Sequence, residues 1–232
     1  MKFKKLIPKF FTPEECKGFI DFSEKQGYQE ALVRTKQGEE MRKDIRDNDR
    51  VIWDRPEVAK QLFDLVKEHL PQMINGYEPI GLNERFRFYR YQDGQRFRPH
   101  VDGAYKRSDT EVSLITLLIY LNEGFEGGST YLIDADEEVI PKEGSLLLFD
   151  HKMLHSGTPV TKGVKYVLRT DVMYKLKKYE NEWKKTIGVI LLALMALGLI
   201  LSVTGCADVS HVKECLPPLE YTYGFWDRKS TR

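Results

Sequence analysis

His100, Asp102 and His155 are the residues of this chain whose types and spacing best suit metal chemistry. Two imidazoles and one carboxylate can occupy one face of an octahedral Fe(II) ion and leave the opposite positions open, the arrangement used by non-haem iron oxygenases. His100 and Asp102 point the same way if they lie on one strand, because side chains two residues apart share a face. His155 follows several strands later and is expected to approach from the opposing sheet. Residue type alone leaves zinc open as well, since two histidines and an acid also serve zinc hydrolases. Lys165 and Arg169 argue against that use. They share one face of a strand-like run with Val167 and Asp171, and if Val167 points inward the cations do too. A buried cation requires an anion. A 2-oxoacid with a second, distal carboxylate supplies one, and its other end can fill the open metal positions. Spacing does not choose between Lys165 and Arg169 as its holder, and Tyr91 and Thr116 could add neutral hydrogen bonds to the same carboxylate.

The other histidines are weaker candidates. His151 lies close enough to His155 to be an alternative ligand, but the loop Asp150-His151-Lys152-Met153 reads as exposed. His69, near the end of a helix, reads as a solvated or capping residue.

Helices and strands must position these groups. Thr12 as N-cap, Pro13 at the first helical position and Glu15 form a capping box, and Cys16, Phe19, Ile20 and Phe22 continue at helical spacing. Residues 56–70 read as a second helix, with Val58, Leu62, Phe63, Leu65 and Val66 inward. Residues 34–53 are polar and without clear period, an ordered loop or short strands. From Phe86 onward short β runs follow one another, broken by Asp93-Gly94, Gly127-Gly128 and Gly144-Ser145. The pattern predicts an α+β, mainly β fold: a double-stranded β-helix or cupin-like jelly roll with N-terminal supporting helices. Leu117, Ile119 and Leu148 are candidate cavity walls.

The chain has 232 residues, 41% hydrophobic and 31% charged, which suits one globular domain with a sizeable core. Lys+Arg 36 against Asp+Glu 35 gives no global reason to expect nucleic acid. Cys16, Cys206 and Cys215 are too few and scattered for a disulfide framework.

The C-terminus differs in kind. Residues 187–205 form an uncharged apolar run, long enough for a single transmembrane helix, and lysines at 175, 177, 178, 184 and 185 precede it. Those cations favour a single-pass protein with its main domain in the cytoplasm. The same segment, ending Val203-Thr204-Gly205-Cys206, is also similar to a lipoprotein signal with its lipobox, as if joined by gene fusion. In that case the main domain is simply cytoplasmic. The expected organisation is a helical support region at 1–83, a jelly-roll core at 84–178, a basic linker at 179–186, the apolar helix at 187–205 and a tail at 206–232.

Between Lys5 and Tyr174 the chain resembles the prolyl 4-hydroxylase-like branch of the 2-oxoglutarate and Fe(II) dependent dioxygenases. The likeness is carried by RYQDGQRFRPHVD at 90–102, TLLIYLNEGFEGGSTYL at 116–132 and LLFDHKMLHSGTPVTKGVKYVLRTDVMY at 147–174. It implies that His100, Asp102 and His155 bind Fe(II), that Lys165 and Tyr91 hold the distal carboxylate of 2-oxoglutarate, and that Thr116 lines the cosubstrate pocket. It also implies O2 as cosubstrate, release of succinate and CO2, and ascorbate to keep the iron reduced. Arg169 is a second cation that collagen-type relatives need not have.

Three functions fit. The first is hydroxylation of an unactivated C–H bond in a prolyl or other protein side chain. The second is the same chemistry on a small anionic molecule, recognised by Arg42, Arg46 and Arg50, which otherwise read as a solvated charged loop. The third is a non-catalytic jelly-roll module held at a membrane, for which an intact metal set and a buried cation would be superfluous.

Overall fold

The structure, a computed structural model, describes residues 2–177 except 32, 36, 37, 41 and 93. The chain runs through β1 (Lys4–Ile7), α1 (Pro13–Gln26), β2 (Gln29–Glu30), β3 (Val33–Thr35), β4 (Gly38–Glu40), β5 (Asp49–Asp54), α2 (Pro56–Val66), β6 (Tyr77–Leu82), β7 (Arg85–Tyr91) and β8 (Phe97–His100). It continues with β9 (Glu111–Tyr120), β10 (Glu126–Gly127), β11 (Thr130–Leu132), β12 (Glu137–Val139), β13 (Leu146–Asp150), β14 (His155–Gly157), β15 (Val160–Lys162) and β16 (Lys165–Leu176).

These strands pair antiparallel into a large sheet of order β1-β13-β9-β16-β7-β5-β2, with β6 also on β16, a small sheet of order β12-β11-β14-β8, and the two-stranded pairs β10-β15 and β3-β4. Residues 1–83 are therefore more than helical support. They contribute β1, β5 and β6 to the same sheet that carries β16.

Strand parity separates two cores. Phe86, Phe88, Leu117, Ile119, Leu148 and Leu168 point to one side of the large sheet and pack with Cys16, Leu62 and Val66 from the helices. The alternate residues Tyr89, Tyr91, Tyr120, Phe149 and Val167 point to the other side and pack with Leu132 and Val139 of the small sheet. Leu117, Ile119 and Leu148 are thus helix-side core and not cavity walls. Leu118 and Phe149, one position along, line the cavity instead.

The helices that cover the outer face form for local reasons. Thr12 Oγ1 accepts from Glu15 N at 3.2 Å and Glu15 Oε2 accepts from Thr12 N at 2.8 Å, the expected capping box. Helix α2 ends at Val66 and Lys67–His69 tightens into a 3-10 turn, shorter than the expected 56–70. Leu65 is 59% exposed, contrary to expectation, because it lies about a quarter turn off the face set by Ala59, Leu62 and Val66.

Among the described residues no helix is long and apolar enough to cross a membrane. The apolar run at 187–205, Cys206 and the tail lie outside the described residues.

Removing the α1 cap should be measurable without touching the interior. Thr12→Ala is expected to lower stability by about 1 kcal/mol, read as a shift in the urea midpoint at constant slope.

Candidate metal centre and cosubstrate cavity

The three candidate ligands meet at the edge of the small sheet. His155 on β14 stands directly opposite His100 on β8, with ring centroids 4.2 Å apart. His155 therefore comes from the strand beside His100, not from the opposing sheet as expected. Pairing along β8 stops at His100, and the chain turns so that Asp102 N donates to His151 O at 2.9 Å. Asp102 Oδ1 then lies 3.8 Å from His100 Nε2 and Oδ2 lies 3.8 Å from His155 Nε2.

This set fits a divalent metal. One ligand atom from each residue lies within 4.8 Å of the others, and all three side chains are largely buried. His100 Nδ1 is 2.8 Å from Arg98 O and His155 Nδ1 is 2.9 Å from Met153 O. A carbonyl can only accept, so each Nδ1 carries the proton and each Nε2 keeps its lone pair for a metal. Burial, then the neighbouring His155, pulls His100 down to about 4, which keeps that ring neutral near pH 7. Burial alone would raise the Asp102 carboxyl, but Arg169 and the two histidines outweigh it and hold Asp102 far below the usual carboxylate range.

The large sheet supports this edge from across the interior. Thr116 Oγ1 donates to Asp102 Oδ2 at 2.5 Å and lies 2.9 Å from His151 Nδ1. His151 Nε2 lies 2.9 Å from Ser113 Oγ, and Ser113 Oγ accepts from Tyr105 N. With Thr116 donating to Asp102, His151 Nδ1–H donates to Thr116, and its Nε2 accepts from Ser113. His151 is consequently buried and spent on two hydroxyls, where an exposed loop was expected. Met153 in the same loop is buried too. The neighbouring Asp102–Thr116–His151 relay gives the loop its partners, which single residues of the sequence do not announce.

Lys165 and Arg169 both face inward from β16, but in different electrostatic settings. Arg169 Nη2 lies 2.9 Å from Asp102 Oδ1 and 3.1 Å from Asp171 Oδ1, so carboxylates already neutralise it. Lys165, opposite Tyr91 on β7, has no carboxylate among the described residues. Its Nζ donates to Gly128 O at 2.5 Å and lies 5.4 Å from the ring centroids of Tyr91 and Tyr120. Burial draws the Lys165 ammonium down to about 7 and pushes the Tyr91 hydroxyl up to about 12. Gly128 has φ +66°, and a Cβ there would meet Val160 Cγ2 at 2.8 Å and Lys165 Cδ at 3.2 Å, so glycine keeps room for the lysine stem.

Between the triad and Lys165 lies a small cavity that Tyr91, Leu118, Thr130 and Phe149 help to line. Thr116 lines it as well, but its hydroxyl is engaged by Asp102 and His151. A second, open cleft shares His100, Asp102, Tyr89 and Arg169 with this cavity and includes Arg46, Arg50, Arg87 and Tyr105. The three arginines singled out in the loop separate here. Arg42 is exposed and pairs with Asp44 through two 2.9 Å contacts, Arg50 lies along the cleft, and Arg46 is buried.

The sequence profile of the 2OG-Fe(II) oxygenase superfamily matches residues 86–170, the stretch that carries His100, Asp102, His155, Tyr91, Thr116, Lys165 and Arg169. A PKHD-type hydroxylase of Methylobacillus flagellatus is 29% identical over 182 residues, covering 68% of this chain and 73% of that protein. A prolyl-4-hydroxylase of Pseudomonas putida shares the fold with a TM-score of 0.56 at 19% identity, covering 73% of this chain and 91% of that one. So does a Trichoplax adhaerens prolyl hydroxylase solved with a hypoxia inducible factor peptide, with a TM-score of 0.58 at 16% identity over 73% and 82% of the two chains. The chain is thus similar, in residues 86–170 and in its relatives, to the prolyl 4-hydroxylase-like branch of the 2OG-Fe(II) oxygenase superfamily. It is a 2-oxoglutarate-dependent Fe(II) dioxygenase.

Thr116→Val keeps shape but deletes the hydroxyl that orients Asp102. Mn(II) affinity, read by electron paramagnetic resonance titration, is expected to fall roughly 10- to 100-fold. Unchanged affinity would show that Asp102 needs no such support.

Proposed function

We propose that the chain hydroxylates an unactivated C–H bond of a prolyl or other protein side chain, consuming O2 and 2-oxoglutarate and releasing succinate and CO2. The observation that carries this reading is Lys165, a buried cation with no carboxylate partner among the described residues, across a cavity from two histidines and an aspartate. In this reading His100, Asp102 and His155 hold Fe(II), which when bound supplies the oxygen activation. Lys165 takes the distal carboxylate of 2-oxoglutarate, with Tyr91 beside it. The names of the relatives, hydroxylases of the PKHD and prolyl types, support a protein substrate.

The residues of the chain have three tasks in this scheme. The carbonyls of Arg98 and Met153 hold the imidazoles in one tautomer. Thr116 and Arg169 fix the carboxylate of Asp102 by its two oxygens. Phe149, Leu118 and Val167 keep the cavity apolar between its charged ends, which excludes water from the reacting groups. Attachment to a membrane through 187–205, with the catalytic unit in the cytoplasm, belongs to the same proposal and rests on the lysines that precede that run. Ascorbate would serve to return oxidised iron to the ferrous state.

The direct test is succinate formation from 2-oxoglutarate under Fe(II), O2 and ascorbate with proline-containing peptides. Turnover is expected in the unaltered protein and at least about 100-fold less in His100→Ala and Lys165→Ala. A folded, iron-loaded protein that neither binds nor consumes 2-oxoglutarate would sink the reading.

The titration of Lys165 adds a pH dependence. Only its ammonium pairs with a carboxylate, and with a pKa of about 7 it is largely charged below pH 7. Above pH 7 binding must take up a proton, so affinity falls as pH rises, approaching about tenfold per unit. Calorimetric titration of the Mn(II) protein with 2-oxoglutarate should show Kd climbing from pH 6.5 to 8.5, and Lys165→Met should bind weakly with that slope removed.

A further inference from the structure

Among the described residues, two buried basic side chains have no carboxylate partner, Lys165 and Arg46. Lys165 belongs to the cosubstrate cavity. Arg46 lies in the open cleft whose wall includes His100 and Asp102, and its side chain also reaches Tyr91, Tyr89 and Phe97, which line the cosubstrate cavity.

Its position is built into the fold. The segment before β5 lies along β8, the strand that ends in His100: Arg46 bridges to Phe97, Arg98 N donates to Ile45 O at 3.0 Å, and Arg96 N donates to Asp47 Oδ1 at 2.6 Å. The guanidinium is then fixed from two sides. It lies 4.7 Å from the Tyr89 ring centroid and 4.5 Å from that of Phe97, and Phe97 in turn stacks on the His100 ring at 3.5 Å. Nε donates to Asn48 Oδ1 at 2.9 Å.

What Arg46 lacks is an anion. Other cations of the cleft are spoken for: Arg85 by Asp54, Arg87 by Asp171, Lys106 by Asp109, and Arg169 by Asp102 and Asp171. Arg46 pairs with no carboxylate among the described residues, although it is only 6% exposed. Its Nη2 is buried without any hydrogen-bond partner. A buried charge and a buried donor left unsatisfied are both unfavourable, and both are relieved by an anionic oxygen offered to Nη2.

We infer that Arg46 is the specificity residue of this oxygenase, binding a carboxylate or phosphate group of the substrate on the cleft side of the metal triad. This rests on the dioxygenase reading above and deepens it. The primary substrate then carries an anionic group close to the C–H bond that is hydroxylated, separated from the metal site by little more than the Phe97 ring. Two sources could present that group: an acidic residue or terminal carboxylate of a peptide, or a free small acid.

The test uses the full chain loaded with Mn(II) and N-oxalylglycine, a non-reacting stand-in for 2-oxoglutarate, so that binding is measured without turnover. Four probes form two pairs matched except for charge: N-acetyl-L-proline against its methyl amide, and acetyl-Ala-Pro-Asp-amide against acetyl-Ala-Pro-Asn-amide. Calorimetry is expected to show the anionic member of at least one pair binding roughly tenfold or more tighter than its neutral partner. The pair that shows it identifies the source: the first a free small acid or terminal carboxylate, the second an internal acidic side chain. Arg46→Gln is expected to erase the preference, and Arg46→Lys, which keeps the charge without the fork, to retain part of it.

Charge-blind binding in both pairs, binding of none of the four probes, or a preference that survives in Arg46→Gln would overturn the inference. Thermal unfolding of each variant, with Arg46→Lys as the charge-retaining reference, separates a lost contact from a lost fold. Binding of 2-oxoglutarate itself, measured on the same preparations, reports separately on the dioxygenase reading.

Discussion

Charge buried between two sheets is the constraint on which the rest of this structure depends. Asp102 is almost fully enclosed, and its two oxygens are divided between Thr116 and Arg169. Arg169 passes part of its charge to Asp171, and Asp171 shares with Arg87 at 3.3 Å. An isolated carboxylate would be forced toward its neutral form in such a place. Linked into this chain of alternating charges it stays ionised, and an ionised carboxylate beside two neutral imidazoles is what a divalent metal needs.

The large sheet makes that arrangement possible through parity. Every residue it contributes to the centre, Tyr89 and Tyr91 on β7, Thr116 on β9, Lys165, Arg169 and Asp171 on β16, has the same orientation, while their immediate neighbours form the helix-side core. A one-residue slip in β16 would exchange Lys165 and Arg169 for Tyr166 and Thr170 and put two cations among leucines and phenylalanines. The burial of Phe86, Phe88, Leu168 and their partners against α1 and α2 therefore fixes the register of the site as well as the stability of the domain. Tyr89 reports the same field. Burial would raise its hydroxyl, but Arg169, Arg46 and Arg87 outweigh it and bring it down to about 8.

Local features were readable from residue order. The capping box of α1 and the inward face of β16 follow from spacings of two to four residues, and the structure has both, whereas His100 and Asp102 come together through a turn after β8 and not by alternation along one strand. What spacing could not supply was partnership across the chain. His155 beside His100 is a register of β14 on β8, His151 is buried only because Ser113 and Thr116 arrive from β9, and Lys165 differs from Arg169 only because Asp102 and Asp171 fall within reach of one of them. Arg46 looked like its exposed neighbour Arg42 for the same reason: Tyr89 and Phe97, which cover it, are far along the chain.

The central claim is that Lys165 carries an unsatisfied charge meant for the far end of a 2-oxoacid, and one comparison addresses it directly. Under anaerobic conditions the visible charge-transfer absorption of Fe(II) chelated by a 2-oxoacid can be titrated with 2-oxoglutarate and with pyruvate, which lacks the distal carboxylate. The unaltered protein is expected to bind 2-oxoglutarate at least about 10-fold more tightly than pyruvate, and Lys165→Met to bind both alike. Equal affinities in the unaltered protein, or a preference that persists in Lys165→Met, would contradict the account.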